Sequence, residues 1–321
     1  MSLQYDAEWA SVAAPLLKMA AARPAPAVHD YMTIRKNSVV TVGGAMSRLP
    51  PAEDVVTSSL EIDSYDGAKI TLYHHKPRNL PAEPGAAILH VHGGGMVAGT
   101  ARSFAPAVAL TASRSGLQYF DVEYRLAPEN PHPTPVEDTY AALLWMMEHA
   151  QELNIDSKRI GIHGESAGAG IAAGVALMAR DRRLQPPIAK QVLIYPMLDY
   201  KNVKPVSAAL NKYLTWTTNT NITGWTALLG ESTMAGDDVD TYASPAHAKD
   251  LSGLPSTYID VGGLDLFRDE DIEYAARLLK ADVQVELHVY PGVPHAFEML
   301  VPQAAVTQAA LANRLKALRS I

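Results

Sequence analysis

The stretch Arg159-Ile-Gly-Ile-His-Gly-Glu-Ser166-Ala-Gly168 decides the fold. Its first half, Arg159 to His163, reads as a short buried strand. Gly164 and Gly168 bracket a sharp turn that feeds directly into a helix over Ala169 to Arg180. A Gly-x-Ser-x-Gly elbow needs this setting, because the tight turn crowds any neighbour that carries a Cβ. Such an elbow lifts the Ser166 hydroxyl above the sheet edge and aims it at a helix N-terminus. There the backbone N–H groups and the helix dipole favour negative charge.

Outward from the elbow, the chain alternates strands and helices. Val55 to Asp63 and Lys69 to Lys76 alternate in polarity and flank Asp66-Gly67, a hairpin signal. Ala86 to His92 is an apolar run that ends in three glycines, and Gln118 to Tyr124 is a further strand. Helices are expected at Ser103 to Ser113 and at Pro135 to Leu153, the latter with proline in its first turn. Beyond the elbow come a buried strand at Lys190 to Pro196, a strand at Ser256 to Val261 and a helix at Arg268 to Lys280. A strand at Val283 to Tyr290 and a helix from Gln303 to Leu318 complete the chain. This rhythm predicts an α/β fold with a mostly parallel central sheet covered by helices on both faces.

Two regions break the rhythm. Residues 1–50 are helix-prone but interrupted by prolines, with an amphipathic helix expected at Leu3 to Met19 carrying Trp9 and Leu16 on its apolar side. Residues 199–245 hold short helical pieces rich in Asn, Thr and aromatic side chains. An insertion there suits a lid over the carboxyl end of the sheet. The expected organisation is a helical cap from 1–50, a catalytic core over 51–198 and 246–321, and a cap insertion over 199–245.

A serine hydroxyl is a weak nucleophile until a base takes its proton. Of eleven histidines, His295 follows the last strand and falls at the same sheet edge as Ser166. Its imidazole needs a carboxylate to hold one tautomer. Asp265, in the loop after the preceding strand, is placed for this. Asp260 and Asp269 are rivals, one inside the strand and the other on the following helix. An oxyanion needs backbone donors, and His92-Gly-Gly-Gly95 follows a strand with the backbone laid open. Gly94, Gly95 and Ala167 are the expected donors. A phosphate-binding reading of these glycines fails for want of a following Lys-Ser/Thr or a Gly-x-Gly-x-x-Gly spacing.

These residues together resemble the hormone-sensitive-lipase-like branch of the α/β-hydrolases, the bacterial family IV esterases. The resemblance runs from about residue 55 to the end. It rests on His92-Gly-Gly-Gly95, Tyr124-Arg-Leu-Ala-Pro-Glu129, Gly164-Glu-Ser-Ala-Gly168, Asp265-Leu-Phe-Arg-Asp-Glu270 and the His295 loop. It implies a serine carboxylic-ester hydrolase for short- to medium-chain acyl esters, without a cofactor, and a monomer or homodimer. The order Ser166…Asp265…His295 is the triad order of that fold. Three positions depart from the family pattern: Met96 replaces an aromatic residue, Leu266 a proline and Ala296 a glycine. Met96, Trp216 and Trp225 are the expected lining of the substrate pocket. A flexible thioether at Met96 can adapt to several acyl groups.

Several features have plainer readings. Arg125 and Glu129 are close enough in sequence to pair with each other. His74 and His75 are expected on the surface of an early edge strand, and Glu165 as a structural anchor. His90, His92 and His163 could approach a metal, but no carboxylate is expected to accompany them and buried histidines with hydrogen-bond partners are common, so no metal site is expected. The composition is that of an ordinary globular chain: 321 residues, 48% hydrophobic and 19% charged. A net charge of −7 without a basic run argues against nucleic acid as a partner. The absence of cysteine excludes disulfides and thiolate chemistry and fits a reducing compartment. Without a signal-like start or a spanning stretch, a cytoplasmic location is expected. Amidase or acyltransferase chemistry on the same triad, or a small-ligand receptor of the same fold, are the competing functions.

Overall fold

In the computed structural model, residues 3–236 and 238–321 are described. Two helices come first, α1 (Ala7–Ala21) and α2 (Tyr31–Met46), each opened by an aspartate, Asp6 and Asp30, that accepts a backbone N–H of the first turn. Strands β1 (Val55–Asp63), β2 (Lys69–Pro77) and β3 (Gly85–Val91) follow. Helix α3 (Ala101–Ser115) starts in a Thr100–Ser103 capping box and stops at Gly116. Then come β4 (Gln118–Val122), α4 (Thr134–Glu148), β5 (Ile155–Glu165), α5 (Ala167–Asp181) and β6 (Lys190–Ile194). Short helices α6 (Ala208–Asn211), α7 (Thr218–Leu229) and α8 (Glu231–Met234) occupy the insertion. The chain finishes with β7 (Ser256–Gly262), α9 (Arg268–Lys280), β8 (Val285–Tyr290), α10 (Phe297–Leu300) and α11 (Ala305–Arg319).

The strands form one sheet in the order β1-β2-β4-β3-β5-β6-β7-β8. The hairpin β1–β2 is antiparallel, β2 meets β4 antiparallel, and every pairing from β4 to β8 is parallel. The pleat sends alternate side chains to opposite faces, each of which builds its own core. Leu89, Ile162 and Leu193 enter the core shared with α4, α5 and α9. Ile88, Tyr119, Val192 and Tyr258 enter the core beneath α3 and α11. Each fully buried Leu or Ile contributes roughly 1.5–3 kcal/mol. No helix among the described residues is long and apolar enough to cross a membrane.

The N-terminal helices are anchored to the rest of the chain. Trp9 is fully buried and its indole N–H donates to the Phe297 carbonyl at 3.1 Å. The amide of Asp6 donates to the Gly292 carbonyl at 2.8 Å. Leu16 is only half-buried, and Ala13 shares the apolar face with Trp9. Helix α2 packs against α3 and α7.

Two expectations fail here. His74 and His75 are buried, because β1 takes the sheet edge and leaves β2 flanked on both sides. His74 bonds Gln118 at 2.9 Å and stacks on Phe120, and His75 Nδ1 lies 2.9 Å from the Thr57 hydroxyl. Arg125 does not pair with Glu129. Its guanidinium forks onto Asp66 and the fully buried Asp138, while Glu129 is held by Arg35 of α2 at 2.6 Å. The sequence-distant partners win because Asp138 is desolvated and leaves a bidentate acceptor facing the arginine.

Helix α11 is tied to the sheet by charge. Arg314 donates from Nε and Nη2 to the two carboxylate oxygens of Asp260 on β7, at 2.7 and 2.9 Å, in a buried pair. Burial raises the proton affinity of Asp260, and the forked donation from Arg314 opposes it. Removing one partner strands the other charge, so Arg314→Met lowers unfolding free energy by about 3–5 kcal/mol in urea titrations. Replacing Asp260 by Leu in the same chain recovers much of that loss. Burial also pushes the His75 imidazole down to about 4. A depressed imidazole stabilises the fold above its ordinary titration range and loses that contribution as pH falls. Between pH 7 and 5, His75→Gln therefore loses less stability than the parent, by on the order of 1–2 kcal/mol.

Candidate active site

Strand β5 ends at Glu165 and α5 begins at Ala167, so Ser166 alone makes the turn, at φ 56° and ψ −123°. A left-handed backbone at a residue with a Cβ costs about 1–3 kcal/mol and persists only where the surroundings fix it. Here the neighbouring strand does so. The Ser166 amide donates to the Ile194 carbonyl at 2.9 Å, and the Met197 amide donates to the Ser166 carbonyl at 3.1 Å. Helix α5 approaches so closely that a Cβ on Gly168 would overlap the carbonyls of Val91 and His92.

Parallel strands bring the loops after β5, β7 and β8 to one sheet edge. In the loop after β8, His295 Nε2 lies 2.9 Å from Ser166 Oγ. Its Nδ1 lies 2.7 Å from Asp265 Oδ2 in the loop after β7. The other oxygen of Asp265 accepts the Phe267 amide at 3.0 Å, which fixes the carboxylate plane. The imidazole sits edge-on between Tyr195 and Phe267, with ring centroids 4.5 and 5.2 Å away. With Nδ1–H donated to Asp265, Nε2 is left to accept from the serine hydroxyl. Asp260 is committed to Arg314, and Asp269 is exposed beside Arg268.

The glycine run turns beyond β3, with φ 133° at Gly94 and 63° at Gly95. The Gly94 carbonyl accepts the amides of Val97 and Ala98, at 3.2 and 3.0 Å, which closes the loop on itself. Among the described residues, no protein acceptor takes the amides of Gly94, Gly95 or Ala167. The loop is clamped from α2, where Arg35 donates to the Val97 carbonyl at 2.6 Å and to the Ala127 carbonyl at 3.0 Å. The Ala127 amide in turn donates to the Met96 carbonyl at 2.9 Å. Arg35 lies on α2, in a region whose sequence predicts only loosely organised helix. Its only local signal is an arginine on an otherwise weakly amphipathic helix.

The three expected pocket residues separate. Trp216 lies against Gly95, where its indole would collide with any added Cβ. Trp225 is fully buried in the main core and Met96 is 1% exposed there. The insertion also touches the histidine loop, as the Thr215 hydroxyl donates to the His295 carbonyl at 2.8 Å. Glu270, within a motif noted only as a pattern, accepts the amides of Leu198 and Asp199 at 2.7 and 3.2 Å and so secures the loop after β6.

Comparison with known proteins follows the same lines. Residues 88–299 match the family described as the alpha/beta hydrolase fold. Esterase LipI of Mycobacterium tuberculosis is 33% identical over 257 residues, covering 78% of each chain. An ethyl acetate hydrolase of Pseudomonas putida is 32% identical over 243 residues, covering 75% of each. Among solved structures, a bacterial heroin esterase superposes with a TM-score of 0.88 at 38% identity, over 99% of this chain and 98% of that one. With this match spanning most of its length, the chain belongs to the α/β-hydrolase family, in the hormone-sensitive-lipase-like branch that contains these esterases.

Proposed function

We propose that this protein is a serine carboxylesterase working through an acyl-enzyme on short- to medium-chain acyl esters. The observation that carries the reading is the unbroken line from Asp265 through His295 to Ser166, at 2.7 and 2.9 Å. His295 Nε2 takes the hydroxyl proton as Ser166 Oγ bonds to the ester carbonyl carbon. Asp265 stabilises the imidazolium without itself accepting the proton. The carbonyl oxygen, now an oxyanion, meets the amides of Gly94, Gly95 and Ala167. Collapse expels the alcohol, protonated by His295. Water then attacks the acyl-enzyme by the same route and releases the acid and the free serine.

The chain's own groups suffice for each step, so no metal or cofactor is assigned to the reaction. Residues 1–50 and 199–245 act as the two parts of a cap over a core formed by 51–198 and 246–321. Ser166 and His295 are only 6% and 8% exposed beneath them. That cover, with the Trp216 indole beside Gly95, favours small acyl groups, in line with relatives named for ethyl acetate and heroin hydrolysis. The protein acts in the cytoplasm as a monomer or homodimer on a small ester, without a nucleic-acid partner.

Ser166→Ala abolishes turnover of p-nitrophenyl acetate by roughly a million-fold and Asp265→Asn by roughly ten-thousand-fold, on the scale of other serine triads. An organophosphate labels the parent protein but not Ser166→Ala. Hydrolysis retained by Ser166→Ala, or preference for a matched amide over the ester, overturns the reading. Loss of the Arg35 clamp loosens the glycine loop and leaves the ester-binding surfaces in place. Arg35→Ala therefore lowers kcat by up to about 100-fold with KM little changed, a fraction of the loss of an oxyanion donor. Arg35→Lys, which restores one donor, recovers part of the rate.

A further inference from the structure

A second polar cluster lies beside the elbow, and the sheet register assembles it. Across adjacent strands His90 is the register partner of both Asp121 on β4 and His163 on β5. The three side chains therefore emerge from one row on one face of the sheet. Glu165, two residues beyond His163, falls on that same face. The resulting contacts are short. His90 Nδ1 lies 2.8 Å from Asp121 Oδ1, and His90 Nε2 lies 2.8 Å from Glu165 Oε2. His163 Nε2 is 3.5 Å from Glu165 Oε1. The fold thus brings two carboxylates, Asp121 and Glu165, onto histidines for which none is expected from the sequence. His92 stays outside the cluster, stacked on Tyr124 with Nδ1 turned to the Gly93 carbonyl.

We propose that His90, His163 and Glu165 form a binding site for a divalent transition cation of the zinc class. One ligand atom from each side chain lies within 4.8 Å of the others. Tetrahedral coordination with bonds near 2.0–2.1 Å separates donors by about 3.3 Å, so closure needs only small side-chain movements. Two imidazoles and one carboxylate suit zinc or cobalt, whereas calcium and magnesium demand oxygen donors. Asp121 holds the non-ligating nitrogen of His90, the outer-shell partner that orients a metal-binding imidazole. A cavity of about 30 Å³ is lined by His90, His163 and Glu165 together with Tyr119 and Phe104. It leaves room for a water molecule as fourth ligand.

Charge favours the same ligand. Asp121 and Glu165 are two carboxylates facing one histidine, and Asp121 Oδ2 is buried without a protein partner. Arg314, the nearby cation, is committed to Asp260 and Glu298. A dication replaces the proton shared by His90 and Glu165 and balances both carboxylates.

The test uses the full chain, stripped with chelator and titrated with Co²⁺ alone. Expected are one equivalent bound and the intense visible bands of tetrahedral cobalt. His163→Gln and Glu165→Gln, each verified as folded by circular dichroism, lose the bands. Asp121→Asn weakens binding by about 10- to 100-fold, the usual effect of removing an outer-shell partner. Crystals of the parent protein soaked in Zn²⁺ provide a readout that needs no variant. An anomalous peak enclosed by the three side chains supports the site. The absence of a peak there, peaks only at surface histidines, or bands unchanged in folded His163→Gln overturns it.

Discussion

The structure depends on one constraint, the pair of backbone hydrogen bonds that trap Ser166 between β5 and the end of β6. The amide is held by Ile194 and the carbonyl by Met197. A residue in the left-handed region would relax to an ordinary conformation if it were free. Held on both sides, it projects its side chain out of the sheet edge and leaves the first amides of α5 facing the same space. Each other part of the site is placed relative to this turn. Parallel pairing of β6, β7 and β8 sets the distance to the loops that carry Asp265 and His295. The contact of Gly168 with the end of β3 sets the distance to the glycine run.

Local chemistry makes much of this legible in the sequence. The elbow, the Asp66-Gly67 hairpin, the buried strands and the helix at Arg268 to Lys280 each announce themselves through turn residues, periodicity or caps within a few positions. What sequence concealed was pairing across distance. Arg125 lies four residues from Glu129 yet forks onto Asp138 and Asp66, because the fold and not the spacing decides which carboxylate is desolvated beside it. His74 and His75 read as surface residues only until strand order shows that β1 covers them. That Asp121 joins His90 and His163 in one row is hidden for the same reason, being a product of register between three strands separated by helices.

The N-terminal helices and the insertion illustrate a different gap between pattern and structure. Residues 1–50 and the insertion lack the strand–helix alternation that marks the core, and a few directional contacts add to the packing of Trp9, Ala13, Val42 and Met46 in holding them. Trp9 donates to Phe297, Arg35 to Val97 and Ala127, and Thr215 to His295. Each contact ends on a backbone carbonyl of the catalytic half of the chain, at Phe297, Val97, Ala127 or His295. These directional bonds couple the positions of α1, α2 and the insertion to the segments that carry Val97, Ala127, His295 and Phe297.

The departures from the family pattern gain meaning from backbone angles. Ala296, where the pattern has glycine, lies at φ 56°, and Met96, after the third glycine, at φ 60°. An L-residue in this region costs about 1–2 kcal/mol relative to its ordinary conformation, so each site stores strain that glycine would not. At Ala296 the strain is held from both sides: its carbonyl accepts the Met299 amide at 3.1 Å, and the preceding carbonyl of His295 accepts Thr215 at 2.8 Å. The histidine is thereby fixed by backbone geometry as well as by Asp265. An alanine also removes conformations that glycine would leave open to the unfolded chain, which offsets part of the cost. Strain at Ser166 and Ala296 lies on the two sides of one hydrogen-bonded line, from Ser166 through His295 to Asp265. The bonds that hold these residues keep hydroxyl and imidazole in register before any ester arrives.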